Sequence, residues 1–350
     1  MAGPVPARVD AEVKAGLLDA VEHAVEQGGW SLRRACQLLE VNDVRLARWH
    51  DRREQGLPLD DGKPGPEQAL HAILPWERDA ILEVYDGWAE VDRSYRKLAH
   101  RGSRLEAVFA SESTFWRVLQ AEGLILPDRV SREPVAKKPW PEWVEYTPNQ
   151  VWGHDFTHFG RARRVAIAVL DLVSRKWIAT IVSPEETSQQ VIAVYTLALE
   201  REGLLAEAEA RMIAPNADEQ LPILLAVSDN GPQMVSGTTR EWLALHSLAW
   251  HTGRPHVPQD QAHIESLFGH VKTEWPELER ITDPAVLEAE LEARRLEYNT
   301  VRLHAGIGYV TPDDEHEGRG AAIRKKRREG LRAARQARIA YRRQQHNPDR

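Results

Sequence analysis

The chain has 350 residues, 42% of them hydrophobic and 12 of them tryptophan, enough for two or three packed domains. It holds no run of about 18 apolar residues that would mark a membrane span. Its first residues, Met1-Ala2-Gly3-Pro4-Val5-Pro6, lack the charged-then-apolar order of a signal peptide. The single cysteine, Cys36, excludes an internal disulfide and a zinc module built on two thiolates. A cytoplasmic protein is expected.

The formal net charge of −7 argues by itself against a nucleic-acid partner, but it hides an asymmetry. Residues 319–350 carry 12 Lys or Arg against two acids, which leaves −17 on the rest. Such a split suggests a basic arm on an acidic body.

From the N-terminus, Val13, Leu17, Leu18, Val21, Ala24 and Val25 recur at helical spacing, and Gly28-Gly29 ends that helix. Ser31 can cap a short helix over 32–39, and Asn42 or Asp43 a third over 44–53. The third carries Arg45, Arg48, Arg52 and Arg53. Two short helices across a tight turn, the second arginine-rich, predict a helix-turn-helix in residues 1–55, with those arginines toward DNA. A small bundle with a solvated arginine face fits the same pattern. Residues 56–70, with Pro58, Gly62, Pro64, Gly65 and Pro66, form a linker.

A second all-α module is expected over 71–125. Trp76, Ile81, Leu82, Tyr85 and Trp88 supply its first apolar face, and a helix from Ser111 stops at Gly123. Residues 126–148, with Pro127, Pro134, Pro139, Pro141 and Pro148, read as an extended, semi-rigid linker.

The region 149–312 alternates differently. Strands are predicted over 151–159, 164–173, 176–183, 221–228 and 249–252, and helices over 187–204, 238–245, 261–274 and 284–299. This order gives a mixed α/β domain. Residues 207–220 read as a polar insertion. The tail, 313–350, contains Arg324-Lys325-Lys326-Arg327-Arg328 and an alanine-rich basic stretch over 331–343. It reads as a solvated charge run or as a helix that orders against DNA phosphates.

Three acids stand out. Asp155 lies within the strand pattern Val151-Trp152-Gly153-His154-Asp155-Phe156-Thr157-His158-Phe159, and Asp229 ends the apolar run from Leu224. Glu265 lies in the helix pattern from Gln261. Isolated acids in apolar strands are costly, so a shared task outweighs three unrelated surface acids. Carboxylates without cysteine or dedicated histidine ligands make a hard, all-oxygen site that favours Mg2+, with Mn2+ as a substitute. Two such ions can clamp the attacking and leaving oxygens of a phosphoryl displacement.

Asp171 fits a turn acid better than a ligand. His154, His158, His251, His256, His263 and His270 lack zinc-site spacing and read as structural or DNA-facing groups. Lys272 shares a helical face with Glu265, with Gly269 between them, and reads as a phosphate contact or a solvated position.

These motifs together resemble the DDE transposases of bacterial insertion sequences, whose catalytic core is shared with retroviral integrases. The Asp229–Glu265 interval holds 35 residues, the family's spacing. Trp152, Thr157, Ser228-Asp229-Asn230-Gly231-Pro232-Gln233, Ser266, Phe268, Lys272 and Glu274 match its flanking pattern. Tyr298-Asn299-Thr300-Val301-Arg302-Leu303-His304 and Gly308-Tyr309-Val310-Thr311-Pro312 match its closing signature. One departure is Asp260-Gln261-Ala262, where the family usually has Asp-Asn-Ala; Gln261 adds a methylene beside the site.

The resemblance implies a ribonuclease-H-like core with a mixed five-stranded sheet and flanking helices, preceded by helix-turn-helix domains. Asp155, Asp229 and Glu265 would be catalytic and hold two Mg2+ ions. The 71–125 module resembles the second helix-turn-helix ahead of many transposase cores, as DNA contact or spacer. The implied activity is transposition: hydrolysis frees a 3′-hydroxyl at a terminal inverted repeat, and that hydroxyl then joins target DNA. Double-stranded DNA and a homo-oligomeric synaptic complex would be the partners, with the protein near the nucleoid. Arg45, Arg48, Arg52, Arg53, Lys272, Arg324, Lys325, Lys326, Arg327 and Arg328 are the expected DNA contacts. A silent transposase-derived regulator and a ribonuclease-H-like nuclease are the alternatives.

Overall fold

Side-chain caps start the N-terminal helices where the sequence places them. In a computed structural model, Ser31 Oγ accepts from Arg34 N at the start of α2 (Leu32–Leu38). Asn42 Oδ1 does the same for Arg45 N at α3 (Asp43–Glu54). The structure describes residues 5–6, 8–61, 69–124, 141–213, 221–228, 233, 236–252 and 262–346, with backbone alone at 252, 262–266 and 346. The chain divides into two units, Met1–Ala69 and Leu70–Arg350.

In the first unit, α1 (Ala11–Glu26) contributes Leu18 and Val21 to a core with Ala35, Cys36, Val41, Leu46 and Trp49. Lys14 is 1% exposed, and its ammonium meets the Leu59 carbonyl and Asp61, each at 2.6 Å. A buried ammonium needs such partners, so this pair ties the start of the linker back to α1.

The second unit is built on a sheet of order β3-β2-β1-β4-β5. Strands β1 (Val151–Phe159), β2 (Arg164–Asp171) and β3 (Trp177–Ser183) run antiparallel. Strands β4 (Leu224–Ser228) and β5 (Leu248–Thr252) add in parallel beside β1. One face packs on α7 (Ser188–Arg201) and α9 (Gly237–Leu245) through Trp152, Ile167, Val194, Tyr195 and Leu243. The other packs on α10 (Ala262–Glu274) and α11 (Pro284–Thr300) through Val151, Phe159, Ala168, Leu267, Val271 and Leu291. Burial on both faces explains the near-continuous apolar β2 and β4. This is the ribonuclease-H-like fold expected from the resemblance. Among the described residues no helix is long and apolar enough to cross a membrane.

Two segments depart from the sequence reading. The polar insertion begins as helix α8 (Leu205–Ile213), because Leu204, Leu205 and Ala208 pack on the α7 side of the core. The described end of the second linker is not extended: it turns near Trp143, which packs with Val144 against the α10 side. Residues 125–140 of that linker lie outside the described residues.

The second helical module, α4 (Pro75–Trp88), α5 (Tyr95–Arg104) and α6 (Glu112–Ala121), closes its own core on Ile81, Leu98 and Phe115. It is also bonded to the segment that follows α11. Arg101 is 3% exposed, pairs with buried Asp92 at 2.6 Å, lies over Trp88 and donates to the Val301 carbonyl at 2.7 Å. Removing one partner of such a buried pair costs about 3–5 kcal/mol. Arg104 pairs with Asp314 at 2.5 Å on α12 (Pro312–His316).

The basic tail is not a free arm. It is the 27-residue helix α13 (Gly320–His346), laid along this module. Arg324 pairs with Glu315 at 2.6 Å, and Arg327 donates to the Gly308 and Tyr309 carbonyls at 2.9 and 2.7 Å. Arg338 meets Glu77 at 2.7 Å and the Phe109 carbonyl at 2.6 Å. Arg342 donates to the carbonyls of Leu70, Ala72 and Ile73. The helix expected to order against DNA phosphates is thus ordered by the protein, because arginine on its inner face satisfies carbonyls that would otherwise be buried unpaired.

A polar cluster joins α12 to the start of β1. Asp171, fully buried, accepts from the backbone of Asn149, Val173 and Ser174, which makes it the expected turn acid. His316 bonds Ser174 at 2.9 Å and Glu202 at 2.7 Å, and Lys176 pairs with Glu202 at 2.8 Å. Burial raises the Glu202 pKa, but the bonds from His316, Lys176 and Asn149 outweigh it and bring it from 4.5 to about 2. A depressed acid stabilises the fold above its unfolded pKa and stops doing so as pH falls through the folded value. Glu202 should therefore contribute fully above pH 4.5 and lose its contribution between 4.5 and about 2. Thermal melts across that window should show a smaller acid loss for Glu202→Gln than for the native chain.

Gly330 offers a second test. A Cβ there would sit 2.1 Å from Phe109 Cε1. Ordinarily Gly→Ala inside a helix gains about 1 kcal/mol, but here overpacking of about 1–3 kcal/mol should win. In urea titrations, Gly330→Ala should destabilise the native chain and stabilise a Phe109→Ala background.

Candidate active site

Strand β1 turns consecutive residues to opposite faces of the sheet. His154 goes to the α7 side, where its Nδ1 lies 2.7 Å from Tyr195 Oη and the rings meet edge-on. Complete burial holds the imidazole pKa down at about 3, so it is neutral. Asp155 is on the α10 side, paired across the sheet with Ala168, half-buried, its Oδ1 accepting from Phe156 N at 2.8 Å.

The parallel register Val151↔Leu225, Trp152↔Ala226, Gly153↔Val227 carries β4 along β1 to the residue pair just before Asp155. The strand ends at buried Ser228, whose Oγ accepts from Trp250 Nε1 on β5 at 3.2 Å. Arg240 stacks over Trp250 at 4.4 Å. Asp229, the next residue, lies outside the described residues, as do Gln261 and Asp260.

The backbone of Glu265 lies in α10, seven residues before Lys272 and therefore about 20° from it around the helix. Lys272 donates to the His158 carbonyl at 2.9 Å, pairs with Glu279 at 3.2 Å and lies over Phe159 at 5.4 Å. It thus ties α10 to β1, on the face that carries Asp155. No Cβ contact would arise at Gly269, which faces open space.

The donor chemistry fits a hard divalent cation. Asp155 is a half-buried carboxylate on the α10 face, while the adjacent imidazole is turned away and held by Tyr195, so His154 does not compete there. His158 is exposed beside Glu186 at 3.0 Å, and His270 lies 3.6 Å from Glu274. His256 and His263 fall outside the described side chains.

The other expected contacts are spread out. On α3, Arg45 donates to the Val5 and Pro6 carbonyls and stacks on Trp49, Arg52 meets the Pro58 carbonyl, and Arg53 pairs with Asp19 and Glu22. Arg48 is exposed. On α13, Lys325 lies 3.9 Å from Glu329, Lys326 pairs with Glu106, and Arg328 is exposed. The sequence reading missed Tyr195, Trp250 and Arg101 as positioning groups. An arginine three positions after Leu98 on an apolar helical face was the available signal for the last.

Two family models, each described as an integrase core domain, match residues 145–258 and 246–312. An uncharacterised 31.7 kDa protein of insertion element IS407 from Burkholderia multivorans is 23% identical over 223 residues, covering 63% of this chain and 74% of its own. An uncharacterised 39.2 kDa protein of insertion element IS476 from Xanthomonas euvesicatoria is 24% identical over 300 residues, covering 84% and 75%. Among solved structures, the simian T-cell lymphotropic virus intasome aligns at 15% identity, 68% of this chain and 74% of the other, TM-score 0.39. The BIV integrase catalytic core aligns at 20%, 50% and 97%, TM-score 0.36.

Residues 145–312 are thus an integrase core domain of ribonuclease-H-like fold. Over much of its length the chain is similar to proteins encoded by bacterial insertion elements.

Tyr195→Phe should strip His154 of its hydroxyl partner inside the core. A buried bond lost this way costs about 1–3 kcal/mol, read as a lower urea midpoint with unchanged secondary structure by circular dichroism.

Proposed function

We propose that the protein is a DNA transposase that cleaves a phosphodiester at the ends of its element and joins the freed strand to target DNA. One observation carries the reading. The strand bearing Asp155 runs parallel to the strand that ends just before Asp229, and the helix containing Glu265 is tied to it on the Asp155 face.

Asp155, Asp229 and Glu265 would hold divalent cations, two Mg2+ ions with Mn2+ as a substitute. Bound ions would supply a water of lowered pKa and charge neutralisation at the leaving oxygen. The chain's own part is placement and electrostatics. A rigid strand holds the Asp155 carboxylate, the tie at Lys272 fixes the Glu265 helix, and the Trp250–Ser228 bond fixes the residue before Asp229.

In the first reaction water attacks phosphorus and the bond to the 3′ oxygen breaks, leaving a 3′-hydroxyl and a 5′-phosphate. In the second, that hydroxyl attacks a target phosphodiester and displaces a 3′ oxygen, while its proton passes to solvent. No covalent protein–DNA intermediate is needed. The arginine-bearing α3 would read the terminal repeats, and pairing of two ends calls for a dimer or larger assembly.

The test is a strand-transfer assay in Mg2+ with labelled duplex carrying the ends of the encoding locus. Joined products should form, disappear with EDTA and fall about 100-fold or more in Asp155→Asn and Glu265→Gln, since a metal-held charge supplies several kcal/mol. Undiminished joining by both variants would overturn the site assignment.

A further inference from the structure

Helix α13 carries its basic residues in two sets. Arg324, Arg327, Arg338 and Arg342 face the protein and are held by carbonyls or by Glu315 and Glu77. Lys325, Arg328, Arg332, Arg335 and Arg343 are exposed, as is Lys326, which pairs with Glu106. At about 100° per residue the first five of these fall within an arc of about 80°, with Lys326 outside it. Between Lys325 and Arg343 the other exposed positions, including Lys326, Ala333, Gln336, Ala337 and Ala340, fall beside that arc rather than within it. A face selected only for solubility would mix signs and spread its charge.

The stripe is about 27 Å long, eighteen residues at about 1.5 Å each. The one acid near it, Glu329, meets Lys325 at 3.9 Å, an exposed contact of little strength. The one large apolar side chain within the arc, Ile339, is half-buried rather than presented to solvent. A protein-binding surface would want apolar anchors at its centre, whereas a row of cations without them suits a line of phosphates. The inner arginines keep the helix ordered beforehand, so binding loses little conformational entropy.

We infer that this outer stripe is a track for the phosphodiester backbone of duplex DNA, each of its five cations meeting phosphate oxygen, and that the inner arginines are the struts that hold the track. The inference rests on the function proposed above and deepens it. It moves the tail's DNA contacts from the compact run 324–328 to a line extending to Arg343, and assigns Arg324 and Arg327 to the struts.

The test uses the full chain and a fluorescent duplex of about 30 base pairs and arbitrary sequence, with affinity measured by anisotropy between about 50 and 200 mM salt. The variant carries Arg328→Gln, Arg332→Gln and Arg335→Gln together. Its plot of log affinity against log salt should be shallower than the native one by about 2.7, three phosphates at about 0.9 each. Its thermal midpoint should be unchanged, whereas Arg338→Gln should lower the midpoint. A native slope in the triple variant overturns the track while leaving the proposed function standing. Unfolding of the triple variant overturns it too, because the stripe would then be structural. Absence of duplex binding by the native chain removes the proposed function along with the track.

Discussion

The parallel pairing of β1 with β4 is what the proposed site depends on. An antiparallel neighbour would bring the β4 terminus to the opposite end of β1 from the one it now approaches. Because the two run together, and because Gly153 is level with Val227, the chain leaves β4 beside the half-buried Asp155. The helix that carries Glu265 is then held on the same face by packing of Leu267 and Val271 and by the bond from Lys272 to the His158 carbonyl. Carboxylates far apart in sequence can share a cation only through such an arrangement, since none can reach another within a single element.

Within Leu70–Arg350 the body and the basic tail turn out to be complementary. Arginine suits this because its planar guanidinium can serve several carbonyls or a carboxylate at once and keeps its charge when desolvated. Arg101, Arg338 and Arg342 each join segments more than 100 residues apart through such bonds. The second helical module is consequently fixed to the integrase core domain from two sides, through α5 and through the tail. A helix of this composition left unbound would gain little from packing, as its outer face is charged and its apolar residues few.

Periodicity and punctuation carried much of the fold into view. The strand expected over 151–159 matches β1 residue for residue, and Ser31 and Asn42 cap the helices assigned to them. The mixed α/β order was readable because both faces of β2 and β4 are buried and so keep an unbroken apolar run. What periodicity could not supply was partners. Nothing in the composition of Arg324 or Arg327 distinguishes a guanidinium bonded to backbone carbonyls from one in solvent. Helix α8 was hidden for another reason: Glu207, Glu209 and Arg211 interrupt its apolar residues, and only Leu205 and Ala208 report its contact with the core.

The residues alone were enough to establish the order of elements, the three acids with their interval of 35 residues between Asp229 and Glu265, and the segregation of positive charge at the tail. Each of these is local in the chain, set by side-chain chemistry and spacing. The tertiary structure decided which way each group faces: His154 toward Tyr195, Asp155 toward α10, four arginines of α13 inward and its six other described cations out. Those choices depend on contacts between segments distant in sequence. Burial then makes them strict, because a charge turned into the core without its partner costs more than any local preference can offset.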